Sequence, residues 1–314
     1  MKKIIVLAVV CMMAAANFAS ADTFGTGDNQ FIIDFVPISG STNPTSGIST
    51  GNSFSFTGVN HDYRMGAYEI TNDQWNKFKS AYGAVTGSPS HAYLLAPYFT
   101  GTDVPTNRTS WYEAAQFVNW LNTSTGHQAA YKFTGTQGTS NYTFTLWTVT
   151  DTGYDAGNPY RNSDTFYFLP TENEWVKAAY WNGTSLQTYS NASAGDLVSS
   201  GSPDPTKWNC RSSEPWNATS GVKELNGTYN MMGNVFEWME SPYYSGDYLS
   251  GSARCLRGGS NDSAGFYLSS KTRNFSSAHY ENFGTGLGFR VASVPEPCSL
   301  VLLFLGGLVL RSRK

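Results

Sequence analysis

Charge is scarce in this chain. Only 14% of its 314 residues are Asp, Glu, Lys or Arg, against the ~25% usual for globular proteins. The net charge is -3 and the body holds no Lys/Arg cluster. The electrostatic footprint of a nucleic-acid-binding protein is therefore missing. Histidine is scarcer still. The four residues His61, His91, His127 and His279 are scattered, with no H-x-x-x-H spacing to seat a metal. No apolar run reaches the ~20 residues of a membrane-spanning helix. No internal repeat or linker divides the chain, and its length suits one large domain or two small ones.

Aromatic residues are plentiful at 15%. With so little charge, the surface has to be polar through Ser, Thr, Asn and Gly, which suits an extracytoplasmic protein. Both ends read as addresses. Lys2 and Lys3, the apolar stretch from Ile4 to Ala16, and Ala19-Ser20-Ala21 form a signal peptide over 1–21, with Asp22 as the mature start. Cys11 follows Val10 inside the apolar run and does not make a lipoprotein pattern. At the other end, Val294-Pro295-Glu296-Pro297 precedes an apolar run from Cys298 to Leu310 and a basic close, Arg311-Ser312-Arg313-Lys314. The run is too short for a comfortable span, and the basic end would stay cytoplasmic. The order over 294–314 resembles the PEP-CTERM sorting signal of Gram-negative bacteria. That resemblance implies an exosortase-type protease as partner, transient inner-membrane contact, and a cell-surface or extracellular destination. A plain C-terminal anchor has the same hydropathy.

Of four cysteines, Cys11 falls in the signal peptide and Cys298 in the tail. Cys210 and Cys255 remain for an oxidising compartment, and the sequence leaves a disulfide between them open.

Three capping boxes are the clearest local signals. Thr71-x-x-Gln74 opens a helix from Asn72 to about Ala81 with Trp75 and Phe78 inward. Ser110-x-x-Glu113 opens a second, with Trp111, Ala114, Ala115, Val118 and Leu121 at helical spacing. Thr171-x-x-Glu174 opens a third, carrying Trp175, Ala178 and Ala179. Strands are expected at Phe31–Val36, Phe54–Phe56 and from Tyr63, with a hairpin from Tyr131–Thr134 and Tyr142–Leu146. Short strands near Arg254–Gly259 and Gly288–Ala292 bracket polar loops. Few helices, many short strands and long loops make an α+β domain over 22–293.

Chemistry concentrates at Asn230-Met231-Met232-Gly233-Asn234-Val235-Phe236-Glu237-Trp238. Glu237 stands between two aromatics, so burial will force it to find a partner or surrender its charge. Two partners suit it: a buried Arg such as Arg290, or a calcium ion fed by amide and carbonyl oxygens.

Asn230, Gly233-Asn234 and Glu237-Trp238 resemble the N/D-x-x-G-N-x-W-E-W signature of the formylglycine-generating, or sulfatase-modifying-factor, family. Further blocks follow in that family's order: Tyr63–Gly66 with Tyr68–Asn72, Ser110–Ala115, Leu169–Trp175, Leu256–Ser260, and Gly288–Ala292. The resemblance spans nearly the whole mature chain and implies a C-type-lectin-like fold enlarged by loops. It also implies calcium ligated by the Asn230 side chain, the Gly233 and Val235 main-chain carbonyls, and the Glu237 carboxylate. A second calcium site would begin at Asn209, but the segment for its remaining ligands is shortened here.

The family's oxidase holds copper(I) with two cysteines, and soft thiolates suit that ion. Counted from Gly258-Gly259-Ser260, those positions are Ser263 and Leu268. The resemblance therefore implies no copper and no formylglycine-generating activity. Ser260 matches a family active-site serine, but it has no His nearby in sequence and no G-x-S-x-G elbow, and reads as a turn residue. The family's His-ligated iron branch lacks its His set here. Gly284-x-Gly286-x-Gly288 has no following helix, which argues against a nucleotide loop. Loop aromatics Tyr243, Tyr244, Tyr248, Phe266, Tyr267, Tyr280 and Phe283 are candidates for stacking on a glycan or gripping a peptide, or for capping the core. The leading expectation is thus a secreted, calcium-stabilised, non-catalytic binding or structural protein at the cell surface or in exopolysaccharide. An oxidoreductase or other enzyme with a non-standard site is the alternative.

Overall fold

The computed structural model describes residues 19–51, 53–190, 202–282 and 286–296. The apolar parts of both end segments, and Phe283, lie outside the described residues.

Three α-helices form where the capping boxes place them: α1 (Asn72–Tyr82), α2 (Trp111–Ser124) and α3 (Glu172–Tyr180). In all three boxes the Thr or Ser hydroxyl accepts from the N3 amide, and the N3 side chain reaches back to the cap N–H. Two donors that no helical carbonyl can reach are thereby satisfied. α2 differs from its expected one-sided burial. Glu113, Gln116, Asn119 and Asn122 are buried along with the apolar face. Their amides replace water by binding loops: Asn119 exchanges two bonds with the Tyr131 backbone, and Asn122 takes the Phe166 and Tyr167 N–H groups. Buried amides are stable only with such partners.

The main sheet has the order β1 (Ser20–Phe24), β2 (Phe31–Ile38), β5 (Tyr63–Gly66), β13 (Ala292–Ser293) and β8 (Tyr167–Phe168). In β2, Phe31, Ile33 and Phe35 point inward while Ile32 and Asp34 face out, as period-two patterning requires. The second sheet runs β11 (Asn274–Ser277), β10 (Ala253–Arg257), β9 (Phe236–Pro242), β12 (Leu287–Gly288), with only β9 and β12 parallel. Two small hairpins complete the set: β3 (Ile48–Gly51) with β4 (Phe54–Phe56), and β6 (Lys132–Thr134) with β7 (Thr143–Thr145). The expected 288–292 strand is two short strands in different sheets, because the chain crosses between the sheets at Phe289–Val291.

The first and last strands meet around Arg64, which is buried on β5. Its guanidinium pairs with Asp22 at 2.6 Å and bonds Ser20, Ser293 and the Val294 carbonyl. Glu296 reaches the same group at 3.4 Å. β1 already includes Ser20 and Ala21, so a cut after Ala21 would shorten the strand and leave the Asp22–Arg64 pair intact. No helix among the described residues is long and apolar enough to cross a membrane.

Candidate functional site

The Asn230–Trp238 stretch forms a tight turn that delivers β9 into the core. Asn230, Gly233 and Asn234 all have positive φ, at 55°, 92° and 64°. Asn is the non-glycine residue that tolerates this region best. Gly233 has no substitute, since a Cβ there would stand 2.1 Å from the Asn209 carbonyl oxygen. Asn234 braces the turn. Its Nδ2 donates to Glu69 and the Trp216 carbonyl, and its Oδ1 accepts from Asn209 and the Trp216 amide.

Glu237 is fully buried on β9, and its partner is Arg290. Arg290 Nε donates to Oε2 at 2.7 Å and Nη2 to Oε1 at 2.6 Å, while Trp175 Nε1 adds a bond to Oε2 at 2.7 Å. The other Arg290 donors reach the carbonyls of Gly66, Ala67 and Tyr229. All five guanidinium N–H groups are used, the condition under which a buried cation is tolerated.

The structure thus brings the four expected calcium ligands into one turn but commits the carboxylate to an arginine. The fit to calcium is mixed. Among the described residues, no hydrogen bond reaches the carbonyls of Gly233 or Val235, and Asn230 uses its Nδ2 to bind the Ala218 carbonyl. Those oxygens suit a hard cation. At the expected second site, Asn209 Oδ1 is buried without a partner. Against this, no three His, Cys, Asp or Glu side chains among the described residues are placed to hold a metal.

Two carboxylates around Arg290 did not stand out in the sequence. Glu69 is pushed well up by burial and by the nearby Glu237 charge. Glu224, which takes the Met231 and Met232 amides, is pushed up to about 7 by burial. The available clue was a lone Glu between Tyr68 and Ile70.

The Leu169–Trp175 block supplies two more buried acids. Burial raises the Glu172 carboxyl, but Arg257 and Arg273 outweigh it and hold it below the usual range. For Glu174, burial is outweighed by Arg161, His61 and the Thr171 cap, which bring it down to about 2. The Cys255 thiol donates to Glu172 at 3.0 Å, and burial pushes it well above its ordinary value. Cys210 and Cys255 are both buried and no disulfide joins them.

Ser263 and Leu268 stand side by side. Both lie within 3.5 Å of the point where a Gly259 Cβ would sit, and Leu268 also packs over Gly233. Leu268 is fully buried in the apolar core around Trp175 and Met231. Ser260 Oγ bonds Asp262 at 2.5 Å and Ser263 Oγ at 3.0 Å, in a ring that contains no imidazole.

A model of the sulfatase-modifying factor enzyme 1-like domain matches residues 48–294. The chain belongs to that family. Its α+β architecture is the C-type-lectin-like fold of such domains. Solved structures agree at the level of fold. Treponema denticola variable protein 1 superposes with a TM-score of 0.59 at 22% identity, covering 88% of this chain and 99% of that one. The structure of CarF gives 0.56 at 18% identity, covering 84% and 99%. PvdO from Pseudomonas aeruginosa gives 0.53 at 14%, covering 87% and 98%. No curated protein matches the sequence.

The loop aromatics divide. Tyr243 lies between Phe275, at 4.3 Å between ring centroids, and Arg273, at 4.2 Å. Tyr248 packs on Tyr160 and so reads as core lining. Tyr244, Phe266 and Tyr280 are exposed, and Tyr267 stacks on Phe266. The scattered histidines are partly brought together: His91 and His279 meet edge to face at 4.5 Å.

Glu237→Gln should destabilise the domain by about 3–5 kcal/mol, because it strands a buried guanidinium. Adding Arg290→Met should recover part of that loss. Urea unfolding midpoints measure both, and a single-mutant loss below about 1 kcal/mol would refute the role given to the pair.

Proposed function

We propose that this domain is a non-catalytic member of its family, exported and used as a binding or structural protein at the cell surface or in exopolysaccharide. The observation that carries the reading is the Ser263–Leu268 pair. The family's copper cysteines would occupy these adjacent positions. A hydroxyl and a buried aliphatic chain give copper(I) no thiolate, and Leu268 fills the space over Gly233 and Gly259. Ser260 does not replace the lost chemistry by a Ser-His arrangement, because its hydroxyl is held by Asp262 and Ser263 and meets no imidazole among its described contacts. Exposed Tyr244, Phe266 and Tyr280 support glycan or peptide contact. The test is a sulfatase-type Cys peptide incubated with the protein, copper(I) and oxygen. The peptide should remain unmodified, whereas a mass loss corresponding to aldehyde would overturn the reading.

Calcium belongs to the same proposal. The Asn230 side chain, the Gly233 and Val235 carbonyls and Glu237 would hold it. The bound ion would cross-link the turn and stabilise the folded state by mass action. Supporting this, Glu69, Glu224 and Glu237 place three buried carboxylates around one guanidinium. Chelation should lower the melting temperature of the wild type. A melt indifferent to both chelator and added calcium would assign the site to Arg290 alone.

Export rests on the two end segments. The secreted protein should begin at Asp22 and end near Pro295-Glu296-Pro297. Intact mass checks both ends, and a secreted species retaining Leu300 to Lys314 would show the tail to be a bystander.

A further inference from the structure

A cavity of about 370 Å³ lies between the outer face of β2 and the first turns of α1, closed by the loops at Asp103 and Thr219. We propose that it binds an organic cation on an alkyl stem, a primary ammonium or a guanidinium. The nucleic-acid and oxidase readings did not touch this site; the calcium reading shares only Glu69 with it, and not as a ligand, so the proposal holds whether or not the central turn takes calcium.

Charge is the first argument. Asp34, Asp73, Asp103 and Glu69 all line the cavity, and Lys77 is its one lysine or arginine. Lys77 is already paired with Asp73 at 2.8 Å, one helical turn away. Among the described residues, no ion pair engages Asp34 or Asp103. In a chain with so little charge, this concentration of acid is unusual.

The second argument is Glu69. It is 1% exposed, and its Oε1 is buried with no hydrogen-bond partner. An unmatched buried carboxylate oxygen is costly. Its sister oxygen takes Asn234 Nδ2 at 2.9 Å, while the nearby Arg290 spends its donors on Glu237 and three carbonyls. A donor arriving through the cavity would answer that vacancy.

The third is shape. Exposed Ile32 and half-buried Tyr68 give the walls apolar surface that a chain of methylenes can cover. A bare metal ion fits less well, because no three acidic or His side chains among the described residues converge on one point. Separated carboxylates suit a ligand whose donors and stem are spread out. Free alkylamines and the Lys or Arg side chain of a polypeptide share this chemistry.

The experiment is calorimetric titration of the purified secreted protein at low ionic strength with EDTA present, so that loss of calcium is held constant. The probes are 1,5-diaminopentane, agmatine, N-acetyl-lysine methylamide, and 1-pentanol as the uncharged control. The amines should bind saturably and weaken with added salt, while pentanol should not bind. Asp34→Asn combined with Asp103→Asn should weaken binding roughly tenfold. Both residues are surface-facing, so an unchanged melting temperature verifies folding, and Asp204→Asn on another surface loop should bind as wild type. Binding of the lysine amide without the free amines assigns the site to a polypeptide, and the reverse assigns it to small amines. No saturable heat with any cation, equal binding of pentanol, or indifference to the double substitution overturns the proposal.

Discussion

The buried contact between Glu237 and Arg290 is the constraint on which the other elements depend. One carboxylate and one guanidinium, both inaccessible to solvent, join β9 to the segment after β12. Through its remaining donors Arg290 holds the Gly66 and Ala67 carbonyls at the end of β5 and the Tyr229 loop, and Trp175 brings in α3. Desolvating such ions is expensive, so the arrangement is stable only with every donor matched. A single misplaced segment would leave a bare charge in the core. The pair therefore specifies which segments meet more than it adds net stability.

Buried arginines with acidic or aromatic partners recur, though not with every donor matched: Arg161 Nη1 and Arg254 Nε have no hydrogen-bond partner among the described residues. Glu172 gathers Arg257 and Arg273, and Arg161 lies between Glu174 and Glu240. Arg64 ties the first strand to the last. Arg254 is the variation: buried, it stacks on Trp111 and Tyr160 at 4.5 and 3.8 Å and bonds the Ser250 and Ser252 carbonyls. Much of the chain's scarce charge is thus placed inside, and Ser, Thr, Asn and Gly are left to meet water. Short strands and long loops supply little ladder hydrogen bonding, so buried polar cross-links hold segments that regular structure does not.

This framework separates scaffold from chemistry. The turn at Gly233, the Gly258-Gly259 approach and the packing of Ser263 beside Leu268 all persist without thiols. Fold alone does not carry function. What the surface offers for function lies in side chains that the scaffold does not need: exposed aromatics on loops, and acids such as Asp34 and Asp103 that enter no ion pair among the described residues.

Much of the fold was legible in the sequence because its signals are local. The capping boxes at Thr71, Ser110 and Thr171 depend on residues three apart, and the alternation in Phe31–Val36 depends on neighbours. Each fixed its element within a residue or two. The family blocks added the fold class, and the burial of Glu237 followed from its aromatic neighbours. Its contact with Arg290 did not, since Arg290 is 53 residues away and reaches Glu237 only when β12 pairs with β9. Nor did the burial of α2 on every face, the gathering of Glu69 and Glu224 around one guanidinium, or the engagement of Cys255 with Glu172 instead of Cys210. Each of these joins segments distant in sequence, and no local pattern encodes the distance between them. Residue order determined which elements form and which charges have to find partners; only the packed chain decided which partners they found.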